Sequence, residues 1–152
     1  MDIKIPEALK IEHEELHAQL SALSKAPGGV GEAARDVARL LHPHFVKEEE
    51  YALPPLGLLA TVAQGTVMPA MRAVLVMTDR LKEDLPEMLA EHRVVVAALE
   101  KLAEAGKAAK RTDAARFAEK LRLHAETEEQ VLYPAAILVG EYVKAHLGPD
   151  HS

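Results

Sequence analysis

The chain has 152 residues, a formal net charge of −6 and no cysteine. That length is enough for one well-formed core and short for two ordinary domains, so we expect a single domain over residues 1–152. The negative charge and the lack of a basic stripe argue against nucleic-acid binding, and without cysteine any bound metal has to be held by imidazole and carboxylate groups.

The first half of the chain contains two predicted helices joined by a Gly-Gly turn. The first helix runs from about Pro6 to Lys25, where leucines at helical spacing make one apolar face. Gly28 and Gly29 end it, and the second helix runs from about Gly31 to Ala52. Pro43 lies inside the second helix and should bend it, because proline lacks the backbone N–H that a helix needs.

The second half contains two more bundle helices, preceded by a connecting segment, 66–84, that also has a helical pattern. Pro86 indicates either a fresh helix start or a kink before the third bundle helix, which closes near Gly106. The fourth helix is expected over residues 112–146 and should kink at Pro134.

Four long helices with short connections favour an all-α, antiparallel up-down four-helix bundle with its core over residues 7–146. The last residues, Leu147 to Ser152, are expected to be frayed. No apolar run approaches the roughly 18 residues of a membrane span. The first residues also lack the basic start and apolar stretch of a signal peptide, so we expect a cytoplasmic protein with no membrane partner.

One short motif occurs twice, once in the second predicted helix and once in the fourth. Both copies read His-x-x-x-Glu-Glu, with His44 and Glu48 in the first and His124 and Glu128 in the second. Residues four apart on a helix lie about 40° apart around its axis and one turn apart along it. Each His and its Glu can therefore point at one object.

A further His precedes each copy of the motif at nearly the same interval. The Glu-His pair that ends at His13 is repeated as the pair that ends at His92. In an up-down hairpin, residues equally far from the turn meet at the same height. His13 should therefore lie level with His44, and His92 level with His124. Both hairpins therefore place their histidines at one level of the bundle.

Six polar side chains are thus expected to converge in the core, and no Lys or Arg lies at the facing positions. Two buried carboxylates without a counter-charge would cost at least several kcal/mol each. Two divalent metal ions bridged by both glutamates would supply that charge, and iron, manganese or zinc suit such donors. The predicted metal ligands are His13, His44, Glu48, His92, His124 and Glu128.

These residues, in this order, resemble the hemerythrin-like (HHE cation-binding) family. That family has one His on the first helix, H-x-x-x-E on the second, one His on the third and H-x-x-x-E on the fourth, and the resemblance covers roughly residues 7–145. It implies a four-helix bundle with two iron ions and a bridging oxo or hydroxo group, with manganese or zinc as alternative metals. The implied partner is a small molecule: dioxygen, peroxide or nitric oxide.

The sequence departs from the oxygen-carrying hemerythrins at two positions. Those proteins have a second His one turn after the third-helix His, where this chain has Val96, and an Asp five residues after the fourth-helix His, where this chain has Glu128 at four. One iron would then lack a nitrogen ligand, which argues against reversible oxygen carriage. Tyr51, three residues after Glu48, and His17, one turn after His13, are the two candidates for the vacant position, and Tyr51 could act either as a phenolate ligand or through a hydrogen bond to a bound ligand.

The function indicated first is binding of dioxygen or a related small ligand, for storage or sensing, at the iron pair. The alternatives are a di-iron enzyme that consumes peroxide or nitric oxide and an iron-dependent sensor, and the sequence predicts a binding protein more than a dedicated enzyme. A ferritin-like site is excluded, because it needs two Glu-x-x-His motifs and only Glu14 with His17 has that spacing. The sequence predicts neither an oligomeric state nor a redox partner.

The remaining polar and aromatic residues are expected to pack in the core or to lie at the surface. Tyr133 is expected to point away from the site and to pack, and Val131 to lie in the core. Several glutamates beside the motifs are expected to form a solvated face: Glu49, Glu50, Glu126 and Glu129. Three histidines are expected to be exposed: His42, His146 and His151.

Overall fold

The computed structural model describes residues 2–147, and within that range all regular structure is helical. The α-helices are α1 Glu7–Ser24, α2 Gly28–Lys47, α3 Leu59–Ala63, α4 Val74–Ala108, α5 Thr112–Thr127 and α6 Tyr133–His146. Two π-helical turns, Glu48–Ala52 and Glu128–Leu132, follow α2 and α5, and two 3₁₀ turns, Pro54–Leu58 and Pro69–Ala73, flank α3.

The four bundle helices are α1, α2 with its π turn, α4, and the continuous run of α5, its π turn and α6. α2 packs against α1 and α4, and α5 packs against α4 and α1. α6 packs against the first part of α4, where Val74 shares an apolar cluster with Val139. The turn between α1 and α2 is made at Gly28, whose φ of 68° is a conformation that glycine adopts without strain. The predicted all-α four-helix bundle is confirmed.

α4 is one helix of 35 residues that runs through Pro86 without a break. The segment predicted as a connection is therefore a 3₁₀ turn followed by the first part of α4. The prediction that a new helix starts at Pro86 is wrong. Proline costs the helix one backbone hydrogen bond. Leu81 and Met88, on either side of it, are both 0 % exposed, so packing on both sides holds the helix together.

The buried apolar side chains form layers above and below the six predicted ligands. One layer, on the side of the two hairpin turns, includes Leu20, Leu41 and Leu99. The other layer includes Leu53 and Met88. Polar side chains between two such layers have little access to water, so they need partners from the protein or from a bound ion.

The two π turns change which residues face the bundle core. In the first, the N–H of Leu53 donates to the carbonyl of Glu48 at 2.8 Å, and in the second the N–H of Tyr133 donates to the carbonyl of Glu128. A π turn holds one residue more than an α turn, so the residues after it are rotated by about 100° from their α-helical positions.

The ends of the described chain agree with the expected helix bounds. α6 ends at His146, as predicted, and Leu147 is extended and half-buried. Most of the tail expected to be frayed, together with His151, lies outside the described residues. Between residues 2 and 147, no helix combines the length and apolar character needed to cross a membrane.

Candidate metal centre

The structure brings the six predicted ligands together at one level of the bundle. α1 and α4 each contribute one His, and α2 and α5 each contribute a His with its Glu in the following π turn. All six residues are buried, with His124 the most exposed at 7 %.

Their donor atoms form two groups, each compact enough for one metal ion. The first group contains His44, Glu48, His92 and Glu128, and the second contains His13, His124 and Glu128. In each group the donor atoms lie within 4.8 Å of one another. Glu128 belongs to both groups.

The two carboxylate oxygens of Glu128 face different groups. Oε1 lies 3.2 Å from Nε2 of His92, whereas Oε2 lies 3.3 Å from Nε2 of His124 and 3.7 Å from Nε2 of His13. One carboxylate that presents one oxygen to each group has the arrangement of a bridge between two ions. Glu48 belongs to the first group alone, where its Oε1 lies 3.4 Å from Nε2 of His44.

The buried side-chain atoms that lack a hydrogen-bond partner are concentrated at this site. Among the described residues, these orphaned atoms all belong to the six predicted ligands: Nδ1 and Nε2 of His13, Oε1 of Glu48, Nε2 of His124 and Oε2 of Glu128. Each such atom costs free energy when it is left without a partner. The nitrogen and oxygen donors therefore fit metal ions, which would supply the missing partners.

The two glutamates have opposite pKa shifts. Burial, and after it the nearby Glu128 carboxylate, raises the pKa of Glu48 well above its usual range. Burial also acts to raise the pKa of Glu128, but hydrogen bonds from Glu48 and from the surrounding imidazoles outweigh it and hold that pKa well below its usual range. The pair therefore shares one proton, which a cation between the carboxylates can replace.

Burial and the carboxylate of Glu128 also shift the pKa values of the imidazoles. Burial, and then the positive charge of His92, lowers the pKa of His44. For His92 and His124 burial acts in the same direction, but hydrogen bonding to Glu128 overcomes it and raises both pKa values. A metal ion at these nitrogens has to displace the protons that Glu128 attracts.

A carboxylate lies beside the outer ring nitrogen, Nδ1, of each of the four histidines. Glu129 lies 2.9 Å from Nδ1 of His92, and Glu91 lies 3.4 Å from Nδ1 of His44. The two remaining pairs are Glu12, which contacts Nδ1 of His124, and Glu49, 3.7 Å from Nδ1 of His13.

These four pairs repeat the internal duplication of the sequence. The Glu before His13 on α1 contacts the histidine of α5, and the Glu before His92 on α4 contacts the histidine of α2. For His44, His92 and His124 the hydrogen-bonded carboxylate fixes the ring and leaves Nε2 to bind a metal, which is the usual arrangement around metal-bound histidine, whereas Nδ1 of His13 has no hydrogen bond.

The prediction that the glutamates beside the two motifs form a solvated face is therefore only partly right. Glu50 and Glu126 are exposed and pair with surface arginines. Glu129, although 37 % exposed at its side chain, bonds to His92, and the half-exposed Glu49 lies beside His13. The repeated Glu-Glu of the two motifs was a signal for such contacts, since the second Glu of each motif, Glu49 or Glu129, lies beside the single histidine of another helix.

Tyr51 lies outside the donor groups, which corrects its expected role as a ligand. Its hydroxyl donates to Oδ2 of Asp84 at 2.9 Å, and the guanidinium of Arg80 lies 4.3 Å from its ring centroid. Burial, followed by the hydrogen bond to Asp84, raises the pKa of Tyr51. The physical reason is the π turn that contains Tyr51, because the extra residue rotates its side chain away from the face of His44.

Tyr133, expected to point away from the site, lies inside it. Its hydroxyl is 3.0 Å from Oε2 of Glu48 and 3.2 Å from Nε2 of both His44 and His92. The second π turn, between His124 and Tyr133, brings the phenol to the inner face. Val131 lies in that turn and is 55 % exposed, so its predicted core position is wrong as well.

His17 is exposed and belongs to neither donor group, so it does not fill the vacant position. It lines a surface groove of about 410 Å³ between α1 and α2, whose walls include Phe45 and His42 and which reaches His13. His42 and His146 are exposed, as predicted.

Comparison with known proteins agrees with this geometry. The family model of the hemerythrin HHE cation-binding domain matches residues 4–136, a span that contains both donor groups and Tyr133. Comparisons with curated proteins and with solved structures gave no match. Because the family model covers most of the chain, the protein belongs to the hemerythrin HHE cation-binding domain family.

Proposed function

We propose that this protein is a non-haem di-iron protein that binds dioxygen or a related small ligand in the core of the bundle. The observation that carries the proposal is the pair of donor groups that share Glu128 and that contain the orphaned buried polar atoms. The first group, with Glu48, would hold one ion, and the second group, with His13, would hold the other.

Iron is the metal favoured by the donor set together with the family. Imidazole and carboxylate donors without thiolate suit iron, manganese and zinc, and hemerythrin-like sites are expected to hold iron. When bound, an iron pair supplies the electrons that dioxygen or nitric oxide needs to bind. The carboxylates on the outer nitrogens of His44, His92 and His124 would keep these imidazoles oriented toward the ions.

Burial of the site supports a ligand of a few atoms. His44 and Glu48 are 0 % exposed, so a large substrate has no contact with them. The groove between α1 and α2 leads to His13, where the ring of Phe45 stacks on the imidazole with centroids 4.2 Å apart. Phe45, itself 8 % exposed, covers one face of the His13 ring at the end of this groove.

Metal analysis combined with visible spectroscopy tests this function. The protein is loaded with iron, reduced without air, and its spectrum is recorded before air, after air and after oxygen is removed again. We expect two irons per chain and a visible absorption band that appears with oxygen and disappears when oxygen is removed. Less than about one metal ion per chain after reconstitution would contradict the proposal.

The same experiment separates the other two classes of function. Two irons that oxidise irreversibly, together with repeated turnover of added peroxide or nitric oxide, would make the protein an enzyme. Loss of helix in the iron-free protein without any ligand band would favour a sensor, because metal affinity then contributes directly to folding.

A further inference from the structure

The phenol of Tyr133 occupies an unusual position in the first donor group. Tyr133 is 0 % exposed and begins α6, directly after the second π turn. Its oxygen contacts three of the predicted ligand side chains, which come from α2, from the π turn after α2 and from α4: His44, Glu48 and His92.

Hydrogen bonding satisfies these contacts only while a proton stays on one of the two imidazoles. Nδ1 of His44 faces Glu91 and Nδ1 of His92 faces Glu129, so in the neutral rings, the form that binds a metal, both Nε2 atoms present lone pairs to the interior. The two Nε2 atoms are 2.8 Å apart, and the phenol lies 3.2 Å from each. The single phenolic proton can satisfy one acceptor, whereas the two nitrogens and Oε2 of Glu48 all compete for it.

A shared cation would satisfy all these atoms at once. Two donors that bind one ion at about 2.1 Å and at right angles lie about 3.0 Å apart. The phenol oxygen lies 3.0 Å from Oε2 of Glu48 and 3.2 Å from both Nε2 atoms, so it has the spacing of a neighbouring donor on the same ion.

We propose that Tyr133 is a further metal ligand, bound through its phenolate oxygen to the ion held by His44, Glu48, His92 and Glu128. The proposal rests on the metal site proposed above. The phenolic proton leaves to solvent as the oxygen becomes an anionic donor, as protons do when a metal binds acidic side chains.

Tyr133 makes the two metal positions inequivalent. In the first copy of the motif the equivalent residue is Leu53, which is buried in an apolar cluster, so the second group gains no matching phenolate. One ion then has five protein ligands and the other has three, His13, His124 and Glu128. The ion with more open positions is the one beside His13, where the surface groove ends.

The visible spectrum of the ferric protein tests this assignment, because iron(III) phenolate has a charge-transfer absorption band. Wild-type protein, Tyr133→Phe and Tyr51→Phe are loaded with iron, and the iron content of each is measured. Tyr51→Phe is the matched control, since it removes the same hydroxyl from a tyrosine that is also buried but bonds to Asp84. The band is expected in the wild type and in Tyr51→Phe, and its complete loss is expected in Tyr133→Phe.

Resonance Raman spectroscopy of the wild-type protein gives a test that does not depend on whether a variant folds. Excitation into the band should enhance the vibrations of a phenolate ring. Two irons per chain without such vibrations, or with a band that persists in Tyr133→Phe, would overturn the role of Tyr133 and leave the di-iron site intact. A wild-type protein that binds no iron would overturn both proposals.

Discussion

Nε2 of His44 lies 2.8 Å from Nε2 of His92, although the two residues belong to different helical hairpins. Both residues are almost fully buried, so water does not separate the two nitrogens. With both outer nitrogens turned to carboxylates, the metal-free site keeps these two nitrogens in contact only by holding a proton on one of them. A metal ion would replace that proton and bind both nitrogens.

Removal of the metal should therefore destabilise the fold. An ion present at 100 times its Kd stabilises the native state by about 2.7 kcal/mol, which for a chain of this length corresponds to a fall in Tm of roughly 5–10 °C on chelation. Thermal unfolding followed by circular dichroism, with and without EDTA, measures the shift. Refilling with iron should restore it.

Two histidines that are two residues apart provide the controls for this experiment. His44→Ala removes a buried donor of the first group and should leave the second group filled, so EDTA should lower the Tm of this variant by less than that of the wild type. His42→Ala removes an exposed imidazole and should keep the full shift. An equal response of the two variants to EDTA would contradict the assignment of His44 to the metal site.

The placement of the predicted ligands could be read from the sequence because it depends on regular helix periodicity. The His-x-x-x-Glu spacing and equal distances from the hairpin turns put His13, His44, His92 and His124 at one height, and the structure has them there. Such spacing holds wherever the helix up to that residue is α-helical, as it is for each histidine.

The two tyrosines could not be placed correctly, because each lies in or just after a π turn. α-helical counting puts Tyr51 on the ligand face and Tyr133 on the opposite face, and one extra residue in each turn reverses both assignments. The prolines that follow, Pro54 and Pro134, lack an N–H and so mark places where the α-helical hydrogen bonds are interrupted. Alone they do not distinguish a π turn from a kink.

Substitution of the two core glutamates should cause the loss of different numbers of metal ions. The sequence predicts that both bridge the pair, whereas the structure places Glu128 in both donor groups and Glu48 in only one. Glu128→Gln should therefore lose both ions, and Glu48→Gln should lose the ion of its own group and keep the other. Elemental analysis of the iron-loaded variants counts the ions. Equal loss in the two variants would show that Glu48 is also a bridge.

The carboxylates on the outer histidine nitrogens should strengthen metal binding without touching the metal. Glu129→Gln removes the charge that lies 2.9 Å from Nδ1 of His92 and should weaken metal affinity by about 10- to 100-fold. Glu126→Gln, on the same helical run, removes a carboxylate that pairs with Arg122 at the surface and should leave the affinity unchanged. Competition with a chelator measures both values, and an unchanged affinity in Glu129→Gln would contradict this role.

Metal affinity should fall as the pH is lowered, and the sign follows from the raised pKa values of His92 and His124. Below those values each imidazole holds a proton that the metal has to displace, so the apparent affinity should fall by about tenfold per pH unit for each proton displaced. Zinc titration from slightly alkaline to mildly acidic pH avoids changes in oxidation state. Glu129→Gln removes one of the carboxylates that raise the pKa of His92, so its affinity should decline over a more acidic range than that of the wild type. An affinity that stays constant over the same range would show that the metal does not bind these nitrogens.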